Sequence, residues 1–346
     1  MICHAHFTPV CSNIYLEQFV NTLVAIHTSS RKKAAVLFAL SRGQISFQTN
    51  NMFGTVVIGV GIAGRVRIRD LVNPLLSTAS EKMIPKGFVS RRTLEDQQGL
   101  KQISLDDALA REDIHAAIIC TENSYHEDCI RKFLEAGKHV CVEYPMALTL
   151  AAARDLWDLA DEKRKVLHVE HIELLTADYK QLKKDIQGKE LINGTLHFTG
   201  GPLPPSFGFI SFSGIARLTW LVDLFGELTL TSAHLVEEKD KNYIKLNASF
   251  HTTENLPLTW IEERGPGLGR CKNINFHFTS GTMTCLPDAP REAVGVFMQD
   301  FIIFSQKLQG QVCQEALQEE KRRILHCLEL AEKIQQLCEK TTGSHI

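Results

Sequence analysis

The stretch Thr55-Val-Val-Ile-Gly-Val-Gly-Ile-Ala-Gly64 decides the fold of this 346-residue chain. An apolar run typical of a buried strand leads into the spacing Gly-x-Gly-x-x-Gly, and the next segment predicts a helix to about residue 73. Here the first glycine permits a tight turn, the second lets the backbone approach a pyrophosphate, and the third packs helix on strand. N–H groups at the helix start bind phosphate, so a glycine-rich turn without a ligand is the weaker alternative. The predicted phosphate-binding residues are Gly59, Val60, Gly61, Ile62, Ala63 and Gly64.

Outward from this loop, apolar runs alternate with helical segments. The further runs predict strands at 87–89, 116–120, 139–142 and 166–169. Strand and helix alternating at this spacing indicate a parallel sheet with helices on both faces, so we expect an α/β chain with a Rossmann dinucleotide-binding domain over residues 52–172.

After about residue 175 the pattern changes to period-two alternation with glycine and proline turns. Strands are predicted at 191–199, 228–237, 243–252, 256–263, 273–278 and 281–286, with helices at 215–225 and from about residues 291 and 315. This indicates an α+β domain with a large, mostly antiparallel sheet over residues 173–340, followed by a tail at 341–346.

The end of the second strand holds Ser90, Arg91 and Arg92, where an NAD-selective enzyme has Asp or Glu. Guanidinium groups form charge-assisted bonds to a 2′-phosphate, and no acid in this turn competes with it. NADPH is therefore the favoured cofactor and NADH a second candidate, whereas a solvated basic turn would bind neither.

Four residues after the third strand lie at the carboxyl edge, where open α/β sheets bind ligands. Asn123 or Ser124 could cap the next helix, contact the cofactor, or do both. The predicted contacts are Asn123, Ser124, Tyr125 and His126.

Composition separates the first 51 residues from the body. They hold Arg31, Lys32, Lys33 and Arg42 against one acid, Glu17, and Met52 directly precedes the first strand. We expect a dispensable or disordered leader there. The chain has net charge -2, which gives no basic field for nucleic acid, and no apolar run approaches the ~18 residues of a membrane span. Ten cysteines without a Cys-x-x-Cys pair indicate reduced thiols in a cytoplasmic protein.

The segment 137–145, Gly-Lys-His-Val-Cys-Val-Glu-Tyr-Pro, resembles the glucose–fructose oxidoreductase and inositol dehydrogenase family. That family pairs a Rossmann domain with an antiparallel α+β domain. Its usual Glu-Lys-Pro is Glu143-Tyr144-Pro145 here, which argues against a sugar substrate. Segments 87–92, 214–222, 260–263 and 323–328 are similar instead to the biliverdin reductase branch, and the similarity runs from about residue 53 to 340.

This resemblance implies hydride transfer from NADPH to the C10 methine bridge of biliverdin, a linear tetrapyrrole, by a monomer. It implies cofactor contacts at 60–63, 90–92, 123–126 and Tyr144. The phenol of Tyr144, with an ordinary pKa near 10, suits a positioning role better than proton donation. Arg217 is the candidate for holding a propionate or polarising a ring carbonyl; its alternative role is a surface ion pair.

Two other functions stay open from the sequence. A sugar or inositol dehydrogenase would share the fold. A non-enzymatic regulatory protein would use a zipper over residues 148–175, but the predicted strand 166–169 interrupts any continuous coiled coil there.

Metal ligands are also implied by the resemblance, namely zinc at His326, Cys327 and Cys338. Cys327 and Cys338 are eleven residues apart, about 16 Å along a helix, too far for one ion unless the helix breaks or two chains share it. Cysteines on an ordinary helix are the alternative. His168-Val-Glu170-His171 lacks the spacing of a helical zinc motif, so these residues are expected to line the cleft or to pack.

Overall fold

The computed structural model describes residues 52–290 and 292–343. The predicted leader therefore lies outside the described residues, and its role stays a prediction. Of the predicted tail, residues 341–343 continue the last helix and residues 344–346 are not described.

The first sheet contains five parallel strands in the order β2-β1-β3-β4-β5. Its elements are β1 (Phe53–Ile58), α1 (Ile62–Val72), β2 (Met83–Val89), α2 (Leu105–Ala110), β3 (Ala116–Ile119), α3 (His126–Glu135), β4 (His139–Val142), α4 (Leu150–Lys163) and β5 (Leu167–Val169). One-turn 3-10 helices lie at Ala79–Lys82, Asn123–Tyr125 and Ile172–Leu175. All four residues of β3 are buried, as expected of a strand covered by helices on both faces. The predicted Rossmann fold is confirmed.

The second sheet contains six strands in the order β11-β10-β6-β9-β8-β7. Its elements and neighbours are α5 (Ala177–Ile186), β6 (Leu191–Gly200), α6 (Ile210–Ser213), α7 (Ile215–Phe225), β7 (Leu228–Glu238), β8 (Tyr243–Thr252), β9 (Pro257–Arg264), β10 (Cys271–Phe278), β11 (Gly281–Met283), α8 (Val296–Leu308) and α9 (Gln314–Gly343). Short 3-10 helices lie at Pro205–Phe207 and Lys239–Lys241. Only β6 and β9 pair in parallel, so the mostly antiparallel sheet is also confirmed.

Alternation along these strands places one face of the second sheet in the core. Leu196, Phe250, Trp260 and Phe276 are buried in one apolar cluster with residues of α7 and α9. The residues between them on each strand are more exposed, which is why the period-two pattern was visible in the sequence.

The main differences from the prediction are two strand boundaries and one helix. β2 begins at Met83 rather than residue 87, because Pro85 and Lys86 interrupt the apolar run inside the strand. β11 ends at Met283 instead of residue 286. Helix α5 was not predicted, although Tyr179, Leu182 and Ile186 are its buried face.

Helix α8 follows the second sheet in the chain but packs on the first. Its Met298, Phe301 and Phe304 share an apolar cluster with Val57 of β1 and Phe88 of β2. The chain therefore returns to the parallel sheet after completing the antiparallel one.

The proposed zipper segment is divided between α4 and β5, as the sequence indicated. Leu156 of α4 is completely buried against the domain core, so this face is not available to a partner helix. Within the described residues, no helix has the length and apolar character needed to cross a membrane.

Candidate active-site cleft

A cleft of about 1300 Å³ lies between the carboxyl edge of the parallel sheet and the facing sheet. It brings together most of the residues selected from the sequence. Those lining it are Gly59, Val60, Gly61, Ile62, Ala63, Ser90, Arg91, Arg92, Asn123, Tyr125, Tyr144 and Arg217.

The glycine loop has the shape of a pyrophosphate site. Gly59 has φ +89°, and a Cβ there would meet Cys120 O at 2.6 Å. A Cβ on Gly64 would meet Gly59 O at 2.0 Å, so helix and strand pack too closely for a side chain. Around Gly61 there is open space, and no side chain caps the start of α1. The N–H groups of this helix start are thus open to the cleft, as an anion site needs.

At the adenosine end, Arg91 has a partner that the sequence did not predict. Its Nη2 donates to Oε1 of Glu122 at 2.6 Å, and its guanidinium carbon lies 4.8 Å from the ring centroid of Tyr125. Arg92 makes a longer contact of 3.4 Å from Nη2 to Val60 O, and its N–H donates to Ser90 Oγ at 3.1 Å. The turn itself holds no acid, as the sequence shows, but Glu122 reaches Arg91 from the end of β3, beyond β1.

Three of the residues expected to contact the cofactor do not line the cleft, and the first of them, Gly64, packs against Gly59. Ser124 is exposed outside the cleft, and His126 is buried with its ring nitrogens 2.8 Å from Pro145 O and 2.9 Å from Thr121 O. Burial lowers the pKa of His126. Asn123 donates from Nδ2 to Phe207 O at 2.9 Å, joining the parallel sheet to the loop after β6. Neither Asn123 nor Ser124 caps α3 through its side chain.

Tyr144 and Glu143 line the cleft where β4 ends. Tyr144 is half-buried and stacks on His171, with ring centroids 6.1 Å apart and planes at 9°, and burial raises the pKa of its phenol well above the usual value. Oε1 of Glu143 is buried and has no hydrogen-bond partner among the described residues. Burial raises the pKa of Glu143 to about 7. Thr121 Oγ1, also in the cleft wall, is another buried atom without a partner in that part of the chain.

These orphaned polar atoms fit the amide and hydroxyl groups of a nicotinamide riboside, because buried polar atoms are rarely left unpaired. The sequence reasoning passed over Glu143 in favour of its neighbour Tyr144. Glu143 could have been selected from the sequence, because it belongs to the same Glu-Tyr-Pro motif as Tyr144.

Beneath this end of the cleft is a buried charge network. Arg67 Nη2 donates to Glu170 Oε1 at 3.0 Å and to Asp300 Oδ2 at 2.6 Å. Asp300 Oδ1 lies 3.0 Å from His168 Nε2, and Lys307 Nζ donates to His168 Nδ1 at 2.8 Å. Burial opposes ionisation of Asp300, yet Arg67 and His168 hold its pKa below the usual range.

This charge network also occupies the side chains that could otherwise bind a metal ion. Cys141, His168 and Asp300 offer ligand atoms within 4.8 Å of one another, the only such trio in the described part of the chain. The cations of Arg67 and Lys307 already bind Asp300 and His168, however. His168 packs on Phe304, and Glu170 lines the cleft, as expected of that segment.

The opposite wall is a cluster of arginines around Phe198. Arg217 lies 3.6 Å above the ring centroid, Arg264 at 4.7 Å and Arg270 at 5.8 Å. Nε and Nη2 of Arg217 both donate to Glu262 at 3.2 Å, and Arg264 Nε donates to the same carboxylate at 2.8 Å. The Arg217 ion pair is buried rather than at the surface, and Arg264, Arg270 and Glu262 were not predicted.

The implied zinc ligands do not come together within the described part of this single chain. Helix α9 is continuous through Cys327 and Cys338, and both thiols are buried. His326 Nε2 accepts the N–H of Leu228 at 3.0 Å. The three residues therefore belong to an ordinary helix packed on α7 and β7.

Each of the two domains that form the cleft matches a known protein family. The family "Oxidoreductase family, NAD-binding Rossmann fold" matches residues 53–171, and "Biliverdin reductase, catalytic" matches residues 179–290. Human biliverdin reductase A is 54% identical over 287 residues, which cover 83% of this chain and 96% of the relative. The mouse protein is 52% identical over 297 residues, or 86% of this chain and 99% of the relative.

The chain belongs to the biliverdin reductase A family. Solved structures show how the biliverdin reductase A fold extends to distant proteins. A biliverdin reductase from Synechocystis sp. PCC 6803, crystallised with biliverdin and NADP+, superposes with TM-score 0.67 at 21% identity, covering 84% of this chain and 100% of the other. A 3-ketoreductase from Actinomadura kijaniata has TM-score 0.67 at 18% identity, covering 83% and 98%.

Proposed function

We propose that this chain reduces biliverdin to bilirubin with NADPH as hydride donor. The observation that supports this most directly is the cleft itself, in which a dinucleotide loop and an arginine wall face one another. Identity of 54% to human biliverdin reductase A over nearly its whole length supports the same substrate.

The cofactor, when bound, supplies a hydride from its nicotinamide ring to C10 of the substrate. The residues that would hold it are those of the glycine loop for the pyrophosphate, and Ser90, Arg91 and Arg92 for the adenosine phosphate. Thr121 and Tyr144 lie where the parallel sheet can position the nicotinamide end.

The arginine wall matches a linear tetrapyrrole with two propionates. Arg217 and Arg264 share Glu262, while Arg270 and Lys272 share Glu173 at 2.8 and 2.7 Å. Three of these cations, the arginines, line the cleft, and the four cations together outnumber the two carboxylates, so positive charge is available to the propionate groups. Phe198 is buried beneath these arginines and holds their guanidinium groups at the cleft wall.

Reduction also needs one proton, which adds to a pyrrole nitrogen as the hydride adds to C10. Burial makes the Tyr144 phenol an even weaker acid than usual, whereas Glu143 keeps its proton up to about pH 7. Glu143 is therefore the better proton source, and Tyr144 forms the wall that positions the ring. An inositol or sugar dehydrogenase is not favoured, because Tyr144 replaces the family's lysine.

The decisive experiment mixes purified full-length chain with NADPH and biliverdin and follows the absorbance of bilirubin. Arg217→Ala should raise KM for biliverdin roughly ten- to a hundredfold, because a charge-assisted bond is lost. Its Kd for NADPH should stay the same. Arg322→Ala, which removes an exposed arginine of α9 outside the cleft, is the control.

Absence of bilirubin from the wild-type reaction, or oxidation of inositol in its place, would refute the proposed function. We further place the protein in the cytoplasm as a monomer. None of the eight cysteines that the structure describes forms a disulfide bond, which suits a reducing compartment.

A further inference from the structure

The ion pair between Arg91 and Glu122 spans the adenosine end of the cleft. Arg91 follows β2 and Glu122 follows β3, and β1 with its glycine loop lies between these two strands. Both side chains line the cleft. Any dinucleotide whose pyrophosphate lies on the glycine loop must therefore place its adenosine ribose close to this pair.

Glu122 and a 2′-phosphate would compete for the same donor. The Arg91–Glu122 contact measures 2.6 Å, and Tyr125 supports the guanidinium from its ring face. A backbone hydrogen bond, together with the bond from Arg91, keeps the pKa of Glu122 below its usual value, so the carboxylate is ionised at neutral pH. Arg92 contacts only a backbone oxygen at 3.4 Å and has no acidic partner among the described residues.

Exposure decides how strong this competition is. The Arg91 side chain is 66% exposed and that of Glu122 is 35% exposed. Water and salt screen such a pair, so a phosphate dianion can displace the carboxylate without a large cost. The displaced carboxylate nevertheless stays within a Debye length of the phosphate and repels it.

We propose that Glu122 sets the preference between NADPH and NADH by competing with the 2′-phosphate for Arg91. NADH has a hydroxyl in that place and leaves the ion pair intact. The carboxylate therefore lowers the affinity for NADPH alone. It thereby narrows the difference between the affinities for NADPH and NADH. This inference rests on the proposed NADPH dependence of the enzyme.

The test is direct binding of each cofactor to the full-length protein without biliverdin, followed by the fluorescence of the bound reduced nicotinamide. Glu122→Gln should tighten NADPH binding roughly three- to tenfold at low ionic strength and change NADH less than about twofold. The gain should shrink in high salt. It should also become smaller when Arg91→Ala is present, because no donor remains to be released and only the screened repulsion between Glu122 and the phosphate is relieved.

Glu127→Gln is the matched control, since it removes one carboxylate from the first turn of α3, where Glu127 pairs with Arg131 outside the cleft. Equal tightening in this control, or equal tightening of NADH in Glu122→Gln, would show a general charge effect and overturn the inference. Unchanged NADPH affinity, or weaker NADH binding, would overturn it as well.

Failure of the proposed function looks different in these measurements. Wild-type protein that binds neither cofactor would refute both proposals. Wild-type protein that binds both but makes no bilirubin would refute only the function, and the ratio of the two Kd values would still decide the role of Glu122.

Discussion

Each end of the cleft contains an ion pair between an arginine and a carboxylate, but the pair is exposed at one end and buried at the other. At the adenosine end, Arg91 and Glu122 are 66% and 35% exposed. At the nicotinamide end, the side chains of Arg67, Glu170 and Asp300 are at most 3% exposed. The shortest N–O distance is 2.6 Å in both places, so distance alone does not distinguish them.

The two ion pairs differ in function because one is exposed to water and the other is not. An exposed ion pair exchanges its partner for water or another anion at little cost. A buried charge has no water to replace a lost partner, and removing one member leaves the others uncompensated. The exposed pair is therefore suited to discriminating between ligands, whereas the buried network holds α1, α8 and the end of β5 in fixed positions.

The largest effect is expected from breaking the buried network. Arg67→Met keeps the length of the side chain but leaves Glu170 and Asp300 without their cation. The free energy of unfolding should fall by roughly 3–5 kcal/mol, measured by urea denaturation. Arg65→Met, at an exposed position of the same helix, is the control. Equal stability of the two variants would mean that the network adds no more than a surface charge does.

A smaller effect is expected for cofactor binding at the exposed end. Replacing Arg91 and Arg92 together with alanine should weaken NADPH by roughly ten- to a hundredfold and leave NADH nearly unchanged. Fluorescence titration with each cofactor measures this. Equal losses for NADPH and NADH would assign the two arginines to the pyrophosphate or to the fold instead.

A third prediction concerns pH at the buried end. Glu143 is protonated below about pH 7, so kcat should decline as pH rises through this value. Glu143→Gln cannot donate a proton, and its lower kcat should no longer change over that range. Glu135→Gln, an exposed position at the end of α3, should keep the wild-type profile. A profile that survives in Glu143→Gln would assign the proton to another group.

The raised pKa of Glu143 can also be tested through the stability of the protein, without measuring turnover. The pKa of Glu143 in the folded state lies above its ordinary value of 4.5, so the folded protein binds the extra proton between about pH 4.5 and 7. Stability of the wild type relative to Glu143→Gln should therefore fall as pH rises across this interval.

Much of the fold was visible in the sequence because burial has a period. Continuous apolar runs occur in β1, β3 and β4, whereas burial alternates along β6 and β9, so the two sheets could be distinguished. Periodicity identifies a buried face without naming what covers it. The packing of α8 on the parallel sheet was missed for that reason.

The site shows the same division. Gly59, Arg91, Tyr144 and Arg217 were found from local motifs and from resemblance, and all four line the cleft. The pairing of Arg91 with Glu122 depends on strand order, which brings together residues 31 positions apart. The orphaned oxygen of Glu143 depends on what surrounds it in three dimensions, and no spacing in the chain encodes this.

The smallest effect on stability is expected from replacing Arg91, in contrast to the buried Arg67. Arg91→Met retains an unbranched stem that can still pack on Tyr125, and it releases Glu122 to water. Because Arg91 is largely exposed and Glu122 partly exposed, water screens the pair, and the thermal midpoint should stay within experimental error of the wild type, in contrast to Arg67→Met. NADPH affinity should nonetheless fall, since the donor for the 2′-phosphate is lost. A drop of several degrees in the midpoint would mean that the exposed pair also supports the fold, and that stability and cofactor preference cannot vary separately at this end of the cleft.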